Sequence, residues 1–137
     1  MVLIYIIILI ASIALWADFS RSGSIVKDNR TGLEWQDDIE AFNMYWQVAI
    51  DYCESLSLDG GGWRLPNKNE LISIVDYSVS HPSIYSEFEN TTSGYYFSST
   101  TDVDSIYYLW YVDFKYGDVN SHHKSYHKYV RCVRAGQ

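Results

Sequence analysis

The chemistry-bearing residues of this chain crowd toward its carboxy-terminal end. Lys124, His127, Lys128 and Arg131 fall close together, with Tyr126 and Tyr129 between them and Tyr107 further upstream. If "YHKYVRCVR" (126–134) is one strand, alternation puts His127, Tyr129 and Arg131 on one face, with Lys124 in the adjoining loop. Such a strip suits charge-assisted hydrogen bonds to sulfate or carboxylate. The tyrosines would add rigid aromatic contact area. The plainer reading of the same run is a solvated strand face. On the ligand reading, Tyr107, Lys124, Tyr126, His127, Lys128, Tyr129 and Arg131 form the binding set, and Lys124, Lys128 and Arg131 are expected outside the core.

Other residues offer less. Cys53 lies on the apolar face of an expected helix and Cys132 between valines. They either pair in a disulfide or remain two buried thiols, and neither has the surroundings of a reactive thiolate. Neither has a CxxC partner, and His122, His123 and His127 lack a thiol at zinc-ligand spacing. Asp102 and Asp104 in "TTDVDS" are calcium-type ligands, but two acids in a polar loop carry no metal expectation. No Ser-His-Asp set, nucleophile elbow or phosphate loop is visible. No cofactor is expected.

The elements that would position these residues are readable in outline. "GSIVKDNRTGLEWQDD" (23–38) holds two apolar runs around an Asp-Asn-Gly turn and predicts a hairpin. "YWQVAIDYCESL" carries Trp46, Ala49, Ile50, Cys53 and Leu56 on one helical face. "GGGWRLPNKNEL" (60–71) reads as a glycine hinge, a short half-buried strand with Trp63 and Leu65 inward and Arg64 outward, a stop at Pro66, and a second helix. Asn67 stands at its N-cap with Glu70 three residues on, a capping box, and Leu71, Ile74 and Val75 follow at helical spacing. Residues 76–96 form a long polar and aromatic loop, of a length usually functional or mobile. Strands are expected at 95–101, 107–114 and 126–134, with a turn at Gly117-Asp118. The order predicts an α+β domain with a mainly antiparallel sheet, two helices and long irregular loops.

The chain has 137 residues, enough for one domain with a core, and its 17% aromatic content excludes a disordered chain. Residues 2–17 are almost wholly apolar but shorter than the roughly 20 residues that span a bilayer. With small residues at Ala11, Ser12, Ala14 and Ala17, they read as a signal peptide cleaved after Ala14 or Ala17. An uncleaved signal anchor is the competing reading. Residues 18–137 are then one exported domain, in a compartment where disulfides persist. Net charge is −7, divided as −11 over residues 1–114 and +4 over 115–137. The overall acidity argues against nucleic-acid binding, while the basic end can hold an anion.

Taken together, "DNRTGLEWQDD", "WQVAIDYCESLSLDGGGWRLPNKNELISIVDYS", "FENTTSGYYFSST", "YYLWYVDFKYG" and "YVRCVR" resemble the Lcl C-terminal domain family, also catalogued as domain of unknown function 1566. The resemblance runs from about Ser24 to Arg134. It implies a fold related to C-type lectins and to the formylglycine-generating enzyme, in which a disulfide joins the first helix to the last strand. Cys53 and Cys132 fall at those places. It also implies that Trp63, Arg64, Leu65, Pro66, Asn67 and Glu70 are architectural, matching a segment shared with formylglycine-generating enzymes. Some members of the family attach to sulfated polysaccharides. A calcium-lectin sugar motif of the Glu-Pro-Asn type is missing from this sequence.

These readings make the chain a non-catalytic binding or adhesion module, secreted, periplasmic or at the cell surface. Its expected partner is an extracellular glycan, anionic or not, or a protein surface. Self-association stays open, and membrane contact is expected only through an uncleaved N-terminal segment. The alternatives are a thiol-based enzyme like the formylglycine-generating enzyme, and a structural spacer.

Overall fold

The computed structural model describes residues 17–38 and 41–136, the side chains at 41 and 42 excepted. The expected signal segment therefore lies almost wholly outside the described residues. Among those described, no helix is long and apolar enough to cross a membrane.

The hairpin expected at 23–38 forms the middle of a sheet. β2 (Ile25–Asp28) and β3 (Leu33–Gln36) pair antiparallel, with Val26 opposite Trp35. Two features close their turn. Gly32, at φ 77°, donates its N–H to the Asp28 carbonyl at 2.8 Å, and the Asp28 carboxylate accepts from the Arg30 backbone at 2.9 Å. A strand that the sequence reading did not foresee, β1 (Phe19–Ser22), adds to the outer side of β2, and β9 (Val133–Ala135) adds to β3. The second sheet runs β4 (Ala41–Met44), β8 (Lys128–Val130), β5 (Tyr95–Asp102), β6 (Ser105–Asp113), β7 (Asp118–His123). Its pairings are antiparallel except the single Tyr96–Tyr129 pair of β5 with β8. β4 and β7 were also unforeseen. β7, "DVNSHH", holds one aliphatic residue and forms the sheet's edge, so it shows no apolar alternation.

The two helices are α1 (Trp46–Ser55) and α2 (Lys68–Ile72). α1 buries Ala49 and Cys53 completely, and Trp46, Ile50 and Leu56 pack beside them. α2 starts at the expected capping box. Asn67 Oδ1 accepts the Glu70 N–H at 2.8 Å, and Glu70 Oε1 accepts the Asn67 N–H at 2.9 Å. Arg64 completes this corner with two bonds of 2.7 Å to the Glu70 carboxylate. Burial pushes the Glu70 carboxyl up, but Arg64 and the Asn67 N–H outweigh it and hold it below its ordinary value. The expected short strand around Arg64 is an isolated bridge to Val133, with Trp63 and Leu65 buried on either side.

The molecule is therefore mixed α and β, with two helices and nine strands in two sheets among the described residues. Its apolar interior has two parts. One gathers Phe19, Val26, Trp35, Leu71, Ile74 and Phe114 together with Ile84 and Phe88, which the long loop contributes. The other surrounds Cys53 and Cys132 with Trp63, Leu65, Phe97 and Leu109. The two cysteines form a disulfide, with Cα atoms 5.5 Å apart.

One element departs from expectation in a way that matters for the site. Residues 126–134 are not one strand. The chain leaves the second sheet after Val130 and joins the first at Val133. Arg131 and Cys132 make that crossing between the sheets. Hence residues 130–134 are all buried, and the simple alternation of inward and outward side chains fails there.

Candidate functional site

A cavity of about 280 Å³ opens where β8 meets the start of β5. Asn43, Ser93, Gly94, Tyr95, Asp113, Lys115, His127, Lys128 and Tyr129 line it. The register of the second sheet explains this gathering. Tyr95 stands opposite Asp113, and Asp113 opposite Asp118. On β6, Tyr111 follows Asp113 on the same face by alternation. Tyr95 and Tyr111 lie with ring centroids 4.8 Å apart, Tyr111 and His122 5.7 Å apart, and His122 stacks on Tyr126 at 3.8 Å with planes 7° apart. Four rings thus touch in series from the cavity across β5, β6 and β7 to the following loop, a stepped aromatic platform in which the first two pairs are tilted by 42° and 52° and Tyr126 covers one face of His122. Gly94 is required for close approach: a Cβ there would stand 2.9 Å from Cε2 of Tyr129.

Lys128 is the unusual group of this site. Its side chain was expected to be solvated, yet the residue is 1% exposed. Nζ lies 2.7 Å from His122 Nδ1, 4.4 Å from the Tyr111 ring centroid and 5.1 Å from that of Tyr95. Among the described residues no carboxylate is within ion-pair distance of it. Burial pushes its ammonium down to about 8. His122 is lowered as well, first by burial and then by the charges of Lys128 and His123. Since an ammonium can only donate, His122 Nδ1 is the acceptor of this bond whenever Lys128 is charged. Burial, followed by the neighbouring Tyr95, Asp113 and Asp118, raises the Tyr111 phenol.

Arg131 is withdrawn from any exposed strip, being 3% exposed. Its guanidinium donates to Asp37 Oδ1 at 2.6 Å, the Gln36 carbonyl at 2.7 Å, the Asn90 carbonyl at 2.8 Å and Thr91 Oγ1 at 2.7 Å. Asp37 also takes Arg21 on Oδ2 and the Glu89 N–H at 2.8 Å. Burial pushes the Asp37 carboxyl up, but the Arg131 charge and the bonds from Arg21, Arg131 and Glu89 hold it below the usual range. This arginine–aspartate–arginine cluster pins the end of the long loop to the first sheet. The expectation that Lys124, Lys128 and Arg131 all stand off the core is thus corrected for Lys128 and Arg131.

The other expected residues scatter. His127 and Tyr129 do share the cavity, and His127 also meets the Tyr45 ring at 3.9 Å. Lys124 lies over the Trp46 ring at 4.5 Å, and Tyr126 caps the platform. Tyr107 is exposed and parallel to the His123 ring at 6.2 Å, away from the cavity. The Asp102 carboxylate accepts the Asp104 N–H at 3.0 Å, a local turn. Among the described residues no group of three His, Cys, Asp or Glu could hold a metal ion. Sequence reasoning missed Tyr95, Tyr111, His122, Asp113 and Lys115. The available signal was the alternation of "YYLWYVD", which puts Tyr111 and Asp113 on one face.

These features define a small α+β domain tied by one disulfide, with an aromatic-walled cavity at the junction of its second sheet. The chain belongs to the Lcl C-terminal domain family, whose model matches residues 24–134. Comparison with curated proteins finds no significant match.

Proposed function

We propose that this chain is an exported, non-catalytic binding module that holds a saccharide in the cavity and along the tyrosine platform. The observation that carries the reading is the run of Tyr95, Tyr111, His122 and Tyr126 leading out of the cavity beside Lys128. The Tyr95 ring in the cavity, and the outer edges of the rings beyond it, offer apolar area to the C–H face of a sugar. Asn43, Asp113 and Lys115 at the cavity wall offer hydrogen-bond partners to its hydroxyls. A carboxylate or sulfate on the saccharide would meet Lys128 and Lys115, and its pairing with Lys128 would supply a counter-charge to a buried cation. The link from α1 to the crossing segment through Cys53 and Cys132 favours a C-type-lectin-like reading of the fold, and with it export and a binding role. A thiol-based activity loses support, because both sulfurs are bonded to each other and fully buried.

A second reading, a protein partner, is favoured by one separate feature. The β5–β6 hairpin tip exposes Val103, Ile106, Tyr107 and Tyr108.

The test is binding of the full chain to immobilised neutral and acidic polysaccharides. Tyr95→Ala and Tyr111→Ala should each weaken binding by about tenfold or more, as aromatic anchors do. Because an anionic ligand would pair with protonated Lys128, affinity should be highest below pH 8 and fall as pH rises through the value of about 8 that burial sets. Unchanged binding in both tyrosine variants would remove the platform from consideration. If Tyr107→Ala alone weakens capture of a protein partner, the hairpin-tip reading takes its place.

A further inference from the structure

A second property of the same cavity does not depend on saccharide affinity. A buried lysine is ordinarily matched by a carboxylate, because an unpaired charge away from water is costly. Lys128 has three tyrosine rings around it, those of Tyr95, Tyr111 and Tyr126, and its hydrogen-bond partner is an imidazole nitrogen. The charged groups nearest the cavity are Asp113 and Lys115 on its wall, with His127 beside them. None of the three forms an ion pair with Lys128 among the described residues. Tyr95 and Lys128 both line the cavity, and Nζ stands 5.1 Å from the Tyr95 ring centroid, so the amine is set one ring's distance from a space that can hold a small ligand.

We propose that Lys128 is a nucleophilic amine that captures aldehyde-bearing polyhydroxyl compounds, such as the open-chain form of a reducing sugar, as an imine. The step is balanced without any further reactant. The Nζ lone pair attacks the carbonyl carbon, and the carbonyl π pair moves to oxygen. Nitrogen passes its first proton to His122 Nδ1, which stands at hydrogen-bond distance and delivers it to the alkoxide, giving a carbinolamine. The second N–H proton takes the same route to the hydroxyl, which leaves as water as the nitrogen lone pair closes the C=N bond and Nδ1 returns to its neutral state. The net change is amine plus aldehyde to imine plus water. The neutral-amine requirement fits the burial of this side chain. With its ammonium pushed down to about 8, Lys128 at pH 8 holds about a hundredfold more neutral amine than an ordinary lysine.

The experiment treats the folded full chain with glyceraldehyde and sodium cyanoborohydride between pH 6 and pH 10, roughly the span over which such an amine titrates, and maps the reduced adducts by peptide mass spectrometry. Lys128 is expected to label about tenfold faster than exposed lysines at pH 8, allowing for the weaker nucleophilicity of a less basic amine. Its rate should level off above that pH while theirs still climbs. Labelling of Lys128 at the rate of Lys27 or slower, or only after denaturation, overturns the inference. Saccharide binding that fails while Lys128 still labels fast removes the binding reading and keeps this one. Saccharide binding with a silent Lys128 does the reverse.

Discussion

Arg131 and Lys128 stand three positions apart in one basic run, yet their surroundings give them different roles. Arg131 closes an ion cluster with Asp37, a residue 94 positions earlier in the chain. A pairing so distant leaves no trace in local sequence, which is why Arg131 reads as a surface charge beside Lys128. Its removal should be severe. Arg131→Met would leave the buried Asp37 carboxylate with Arg21 alone among its cationic partners. Breaking a buried pair in this way costs about 3–5 kcal/mol, measurable as a lower urea midpoint at unchanged slope. The pH dependence has a definite sign. Asp37 titrates lower folded than unfolded, so its contribution is present above the ordinary aspartate range and is lost as pH falls through the folded value. The deficit of the variant against wild type should therefore shrink in acid. A deficit that stays constant from neutral pH into acid would show that Asp37 is not the group at stake.

At the scale of elements, legibility followed locality. The capping box at Asn67 and Glu70 could be read because both of its bonds join residues three apart. The helical face of α1 could be read because Ala49 and Cys53 repeat at helix period. The break between β8 and β9 could not, because "YHKYVRCVR" alternates well enough for one strand, and the competition between two sheets for its halves is tertiary. The platform failed to appear for the same reason: Tyr95, Tyr111 and His122 belong to three strands, and only the register of β5, β6 and β7 aligns them. That alignment leans on Gly94. Gly94→Ala would drive a methyl group into the Tyr129 ring, which also packs on Tyr96 at 5.5 Å. Overpacking of this kind costs about 1–3 kcal/mol. The variant is expected to unfold at lower temperature and to lose saccharide affinity together, since Tyr129 is a wall of the cavity. Ser93→Ala next door, on an exposed residue, should leave the melting temperature unchanged. Equal melting of Gly94→Ala and wild type would mean that the ring moves aside freely.

For the whole molecule the question is what holds two sheets in one body. Hydrogen bonding within each sheet does not link them. The chain crosses at Arg131–Cys132, Arg64 bridges to Val133 at the start of β9 just past the crossing, and the disulfide anchors the crossing to α1. The bond joins residues 79 apart, so most of the described chain lies inside the closed loop. In the chain-entropy view, closing a loop of this size restricts the unfolded ensemble by about 4 kcal/mol. The described residues contain no free cysteine, so the unreduced protein should show no alkylatable thiol. The paired substitution Cys53→Ala with Cys132→Ala removes the link without leaving a lone reactive sulfur. Both sulfurs lie in the apolar cluster of Trp63, Leu65, Phe97 and Leu109, so the change also leaves a small void there. The expected outcome is a loss of about 2–5 kcal/mol in denaturant unfolding. The distribution of that loss separates its causes. If the unfolded-state restriction dominates, the rate of unfolding changes little and refolding slows, because the crossing must find α1 without a tether. If packing around the sulfurs dominates, unfolding accelerates instead. A double variant as stable as the oxidised protein would show that Arg131, Asp37 and the Arg64–Val133 bridge hold the crossing without the disulfide.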